Sequence, residues 1–301
     1  MPQSLGEAGA AQVPLLASIC ALASGLLWSF GAVAARLADD ADAFQYLIWR
    51  SIAIIVVVEG VTLAQRRPSA VRRALFTDRT MLVACASLLL ASIAFVYAVK
   101  ATTPANAAFL SSITPLVAVL LARIVLREPL TPVTVIAVSV AFAGLVITVL
   151  GDLGAGDARG NVAALLASVG FAGYAVSVRT SPRRDWSPVL PGYAVMMIVI
   201  CAAITLANGK TLVPPAADIA LAVLHGGVFI VAGTLLFNLG ARRIPAVAMS
   251  VFAQTEMLFV PLWGFLVLDL QPTTTSLIGG LIIFGAVIGK ALYDARPAHR
   301  S

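Results

Sequence analysis

Three side chains able to carry charge or a proton stand inside long apolar stretches of this sequence: Glu256, Arg50 and His225. A charge at the centre of a bilayer costs about 2.5–3.5 kcal/mol on insertion scales, so one kept there calls for a reason. Glu256 lies eleven residues into its apolar run, which is about 17 Å along a helix and near mid-bilayer. Its carboxyl can carry a proton, meet a substrate amino group, or bond a neighbouring helix as the neutral acid. Arg50 lies about 10 Å down its own run. Its guanidinium can grip a carboxylate through a bidentate contact. It can equally snorkel outward or pair with an acid as a structural anchor, and an Arg50–Glu256 pair is one such arrangement. His225 precedes Gly226 and Gly227. It reads as a packed hydrogen-bonder or as a proton relay. No metal site follows, since the other histidine, His299, lies in the tail. Glu59 reads as a solvated end charge beside Arg66 and Arg67.

Uncharged groups at membrane depth extend this set. Trp28, Tyr97 and Tyr174 fall within apolar runs and are candidate cavity liners. Trp49, Trp186 and Trp263 suit an interfacial aromatic belt. Asn106, Ser111, Thr114, Gln254 and Thr255 sit in two runs that also contain Pro115 and Pro261. Proline frees backbone carbonyls, so these runs are expected to form cavity walls. The three cysteines (Cys20, Cys85, Cys201) form no CxxC and read as small core residues. There is no phosphate-binding G-x-x-x-x-G-K-[ST], no HExxH and no Ser/His/Asp arrangement. ATP hydrolysis and intramembrane catalysis are not expected, nor is any cofactor or metal. A channel is disfavoured, because no carbonyl-filter repeat or ring of charges is visible.

The elements that must position these residues follow from composition. Hydrophobic residues make up 60% of 301 and charged residues 11%, against about half and about a quarter in soluble domains. Mean hydropathy is +0.98. The chain is a polytopic, all-α membrane protein. Its net charge of +6 marks a membrane face rather than a nucleic-acid site. Ten runs are long enough for helical spans: 13–37, 43–64, 81–101, 103–126, 131–150, 161–179, 188–207, 217–241, 245–268 and 273–293. The first lacks the basic n-region of a cleaved signal and reads as a span. Placing the Arg66–Arg79 segment in the cytoplasm puts fifteen Lys and Arg on that side and four on the other. That asymmetry predicts both termini inside.

The chain also repeats. Pro104-Ala105-Asn106-Ala107 through Thr114 to Glu128 matches Pro245-Ala246-Val247-Ala248 through Thr255 to Asp269 at an offset of 141. Gly144 matches Gly285. Ala23-Ser24 with Phe30 resembles Ala167-Ser168 with Tyr174. Residues 13–150 and 161–293 therefore read as two five-helix repeats. Five is odd, so the second enters the membrane inverted, the arrangement common among secondary transporters. Gly285-x-x-x-Gly289 and Gly144-x-x-x-Thr148 are faces on which helices approach closely, joining the halves or a dimer.

These features resemble the EamA domain of the drug/metabolite transporter superfamily. The resemblance rests on "PANAAFLSSITPLVAVLLARIVLREPLTP" at 104–132, "WR" at 49–50 and "IPAVAMSVFAQTEMLFVPLWGFLVLDLQPT" at 244–273. Glu128 and Asp269 occupy the family's acid-containing turns, Asp269 departing from the usual Glu. The resemblance implies a metabolite exporter, often of amino acids, with an aromatic-amino-acid branch similar in layout. The expectation is a monomer or homodimer in the cytoplasmic membrane, rocking around a central cavity. That cavity is lined by Trp28, Arg50, Tyr97, Asn106, Ser111, Thr114, Tyr174, His225, Gln254 and Glu256. The rival readings are a cationic-drug exporter, with Glu256 binding the cation, and a non-transporting membrane scaffold.

Overall fold

A computed structural model describes residues 15–76, 78–125, 127, 132–151, 158–181, 184–241 and 255–294. Among these residues every regular element is helical. Helix α1 spans Leu15–Leu37 and α2 spans Ala43–Ala64. Asp42 caps α2 through the Phe44 and Gln45 N–H groups, while the Gln45 side chain returns to the Asp42 N–H. This capping box satisfies donors that a helix start leaves open. The far end closes in a Schellman arrangement. The Arg67 N–H donates to the Thr62 carbonyl and the Arg66 N–H to Leu63, with Arg66 at φ 53° where glycine is usual.

The segment read from sequence as a cytoplasmic linker contains a short helix, α3 (Ala70–Phe76). Glu59, expected to be a free end charge, instead accepts from Ser69 Oγ at 3.1 Å and the Val71 N–H at 2.6 Å. It anchors the start of α3. Helix α4 (Arg79–Ala101) begins at an Asp78 cap.

The next expected span is broken into α5 (Pro104–Ser111) and α6 (Thr114–Val125). Pro115 has no N–H for the Ser111 carbonyl four residues back. Thr114 Oγ1 takes that carbonyl at 2.6 Å, and Ser112 Oγ takes Phe109 O at 2.6 Å. The break is thus hydrogen-bonded by its own hydroxyls. Then follow α7 (Pro132–Gly151), α8 (Ala158–Thr180), α9 (Val189–Ala207) and α10 (Ala216–Leu224). A π-helical turn, His225–Ile230, joins α10 to α11 (Val231–Ala241). The last described helices are α12 (Thr255–Leu268) and α13 (Thr274–Asp294). Among the described residues, six helical stretches are long and apolar enough to cross a membrane, and four shorter apolar helices accompany them.

Packing follows the repeat. Helix α1 lies on α11 and α12, while α8 lies on α4 and on α5–α6. Helices α2 and α9, α5 and α12, and α7 and α13 pair across the molecule. Numbering the helices within each half and exchanging the halves maps every one of these contacts onto itself or another. The Gly144 position faces the Gly279 carbonyl, with only 2.8 Å available to a Cβ. That close approach explains its glycine in the α7–α13 contact. Gly285 and Gly289, expected to share that role, have nothing within 4 Å. The main core cluster draws on α1, α2, α4, α8 and α9. A smaller one, around Leu116, Ala137, Ala141, Ile283 and Val287, joins α6, α7 and α13.

Both ends of the α2–α9 pair are tied. At one end Lys210 Nζ meets Asp42 at 2.9 Å, Gln45 donates to the Thr211 carbonyl at 2.7 Å, and Trp49 to Leu212 at 3.0 Å. The Ala41 N–H donates to Asp218 at 2.6 Å beside them. At the other end Arg73 pairs with Asp185 at 2.7 Å, and Arg184 pairs with Asp78. Exchanging the halves converts one set of ties into the other. The Arg184 guanidinium holds the Asp78 carboxyl below its usual range, with the Met81 N–H assisting.

Candidate functional site

Glu256, Phe259 and Trp263 fall at i, i+3 and i+7 of α12, which places them on one helix face. The Trp263 ring stacks on Phe259 (5.8 Å, 21°) and on Phe30 of α1 (4.8 Å, 20°). Phe30 in turn stacks on Phe229 of the π turn (5.1 Å, 25°). Four rings therefore run as a column across α12, α1 and the π turn. Trp263 Nε1 donates to Ser29 Oγ at 2.9 Å, and Ser29 Oγ donates to the Leu26 carbonyl at 2.6 Å. That chain satisfies an indole N–H that lipid could not. Trp263 thus has stacking and hydrogen-bonding partners within the helix group. Trp28, two residues before Phe30, packs on Phe237 of α11 (5.3 Å, 37°) and over Gly233. Glu256 stands at the start of this face, half-buried. This helix trio brings together a carboxyl, aromatic faces and two candidates foreseen from sequence.

Arg50 and His225 belong to a second cluster. Arg50 is 3% exposed. It donates to Ser92 Oγ, and its buried Nε has no hydrogen-bond partner among the described residues. Tyr46, one turn earlier on α2, meets His225 Nδ1 at 2.7 Å through its hydroxyl. The π turn lies directly against this group. A Cβ on Gly226 would collide with the Arg50 carbonyl, and one on Gly31 with the His225 ring. Lys100 Nζ stands 5.8 Å from the Tyr46 ring centre and donates to the Ala41 carbonyl at 2.8 Å and to Ala38. His225 is therefore a buried hydrogen-bonder at a helix distortion. No described ion pair joins Arg50 to Glu256. Among the described residues, no group of three or more His, Cys, Asp or Glu has the geometry for a metal.

The remaining candidates disperse. Asn106 is fully buried, and its Oδ1 accepts from Ser276 of α13 while its Nδ2 has no partner. Ser111 Oγ donates to the Ala164 carbonyl of α8 at 3.3 Å, and Thr114 closes the α5–α6 break. Tyr97 packs on the main core, as does Tyr174, which meets Phe171 edge-on at 5.9 Å. Gln254 and Glu128 lie outside the described residues. A cavity of about 10 Å³ separates α5 from α12, between Pro104, Pro261 and Gly264. It holds no more than a single water.

Sequence reasoning passed over Phe229, Phe259, Ser29, Ser92 and Tyr46, and used Phe30 only to align the repeat. Two signals were present: Phe259 and Trp263 share an i, i+4 spacing, and so do Tyr46 and Arg50. The cross-helix partners of these pairs have no local signal.

A family model described as the EamA-like transporter family matches residues 15–150 and, a second time, residues 158–290. No curated protein matches the chain. A solved crystal structure aligns over 93% of this chain and 99% of its own, with a TM-score of 0.66 at 20% identity. At that identity the likeness is one of fold.

Proposed function

Because this chain belongs to the EamA-like transporter family, a family of small-molecule membrane transporters, we propose that it exports a small metabolite, an amino acid first, across the cytoplasmic membrane. The proposed mechanism is alternating access between two inverted repeats of five spans each, with both termini in the cytoplasm. The Lys and Arg asymmetry supports that orientation. The exchange of helix contacts between the halves supports alternation, because two repeats that can trade environments give two opposite openings.

The observation that carries the site is the half-buried Glu256 carboxyl on the same α12 face as the Phe259–Trp263–Phe30–Phe229 column. Such a face offers an acceptor to an ammonium group and ring surface to an apolar or aromatic side chain. Aromatic amino acids fit that pairing. Nothing covalent is required. Substrate binding and release follow from which end of the helix group is open.

The same chemistry favours one second reading. A lipophilic organic cation would gain from the carboxylate and from ring faces through cation–π attraction. Counterflow in liposomes separates the two. The purified protein is loaded with excess unlabelled solute and offered labelled phenylalanine, tryptophan, alanine or tetraphenylphosphonium. Saturable accumulation of phenylalanine and tryptophan supports the amino-acid reading. Accumulation of the cation alone replaces it with the second. No accumulation of any, with folded protein, removes both.

A further inference from the structure

At the α2–α3 junction lies an open cleft of about 250 Å³, lined by Glu59, Gly60, Leu63, Arg67 and Ser69. Its floor is bare because Gly60 has no heavy atom within 4 Å of where a Cβ would stand. Val56 and Leu63 flank that gap on one face of α2, at 65% and 77% exposure. Spacing of i, i+4 and i+7 makes Val56, Gly60 and Leu63 a continuous apolar track along the helix. The track leads away from the junction toward the apolar middle of the span.

Arg67 in the lining of the cleft is cationic, and Arg66 and Arg72 stand close to it along the chain. Arg66 and Arg67 follow the end of α2, and Arg72 projects from the first turns of α3, all exposed. No ion pair is recorded for any of the three among the described residues. Glu59 is the acid in the cleft, and its carboxylate is engaged by Ser69 and the Val71 N–H. Arg66 occupies a left-handed position where glycine would be easier, so its side chain is present despite the backbone. Beyond the arginines α3 buries Ala70 and Ala74 and exposes Phe76. This is the pattern of a helix resting at a membrane interface.

We propose that this cleft binds an anionic phospholipid, its phosphate held by Arg66, Arg67 and Arg72 and one acyl chain lying along Val56, Gly60 and Leu63. Clustered arginines at a span end attract anionic headgroups. The groove beside them supplies what a free phosphate could not use.

The test is the melting temperature of the detergent-solubilised full-length protein, titrated with phosphatidylglycerol, with phosphatidylcholine or with inorganic phosphate. Phosphatidylglycerol is expected to raise it saturably and the other two to leave it unchanged. Arg67→Gln and Arg72→Gln, both at exposed positions, should each weaken the phosphatidylglycerol response about fivefold in midpoint concentration. Gly60→Leu, whose Cβ enters open space, should weaken it with all the arginines in place. Arg123→Gln, at another exposed site, serves as the control and should retain it. Equal responses to both lipids would overturn the proposal. So would a full response from phosphate alone, or an unchanged response in Gly60→Leu and Arg67→Gln together.

Discussion

Glu256 and the Tyr46–His225 pair show two different uses of a polar group inside an apolar fold. Glu256 is half-buried on an aromatic face and makes no hydrogen bond among the described residues, so its removal should touch function before stability. Glu256→Gln keeps shape and hydrogen-bonding capacity while removing the charge. It is expected to reduce counterflow at least about tenfold, equivalent to about 1.4 kcal/mol, with the melting temperature unchanged. Counterflow retained at the wild-type rate would remove Glu256 from substrate contact, and an unchanged pH-driven flux as well would reduce it to a packing residue. If Glu256 carries a coupling proton, exchange should survive in Glu256→Gln while pH-driven flux is lost. The Tyr46 hydroxyl instead satisfies a buried ring nitrogen at 2.7 Å. Tyr46→Phe leaves that nitrogen without its partner, a loss of about 1–3 kcal/mol of stability, read as a lower melting temperature at unchanged substrate affinity. Arg50 stands between these cases. Its guanidinium already holds Ser92 and keeps one buried N–H free. Arg50→Lys retains charge but loses the fork, so a substrate carboxylate at Arg50 predicts a marked loss of affinity in the folded variant.

Helices α5, α6, α10 and α11 show where local sequence signals end. The break between α5 and α6 was only half legible: the sequence reads as one span over 103–126, and although Pro115 removes a rung of the ladder there, Pro261 does the same inside α12 and leaves that helix continuous. The capping box of Asp42 and Gln45 was equally local. The π turn was not legible. It depends on Gly226 pressing against the Arg50 carbonyl and His225 against Gly31, contacts between residues far apart in sequence. The aromatic column has the same character. Its Phe259–Trp263 half is a helix spacing, and its Phe30 and Phe229 half is a tertiary event. The linker helix α3 was missed because seven residues carry too little periodicity, and its start depends on Glu59 from the preceding helix. Thr114→Val tests the reading of the break. It leaves the Ser111 carbonyl without its hydroxyl partner and should destabilise the protein by about 1 kcal/mol. No change in melting temperature would show that the α5–α6 junction relaxes around the loss.

Across the whole molecule the two repeats are joined in two ways, and the difference bears on which parts move. The α2–α9 pair is tied at both ends at once, by Asp42–Lys210 with Ala41–Asp218 and by Arg73–Asp185 with Asp78–Arg184. A gate cannot be closed at both ends in every state of a transport cycle. These ties therefore fit a frame of α2, α3, α4, α9 and α10 that keeps its shape. Under the proposed alternation, the separate core of α6, α7 and α13 and the broken α5–α6 junction would then be the parts that rearrange. Cross-linking distinguishes the two. In a cysteine-free background, Arg73→Cys with Asp185→Cys, joined by a short bis-maleimide, should retain at least half of the counterflow rate. A fall to background would mean that this end must open during transport and that the frame lies elsewhere. Acid probes the same tie without a cross-link. The Asp78 carboxyl is held below its usual range by Arg184, so the stability it contributes is present above the unfolded value of about 3.9. That contribution is lost as pH falls through the lower, folded value. Asp78→Asn should therefore flatten the acid limb of the melting-temperature profile, and an unchanged limb would place acid sensitivity in another carboxylate. A protein whose frame is loosened by acid yet whose cross-linked frame still transports would separate what holds this fold from what moves within it.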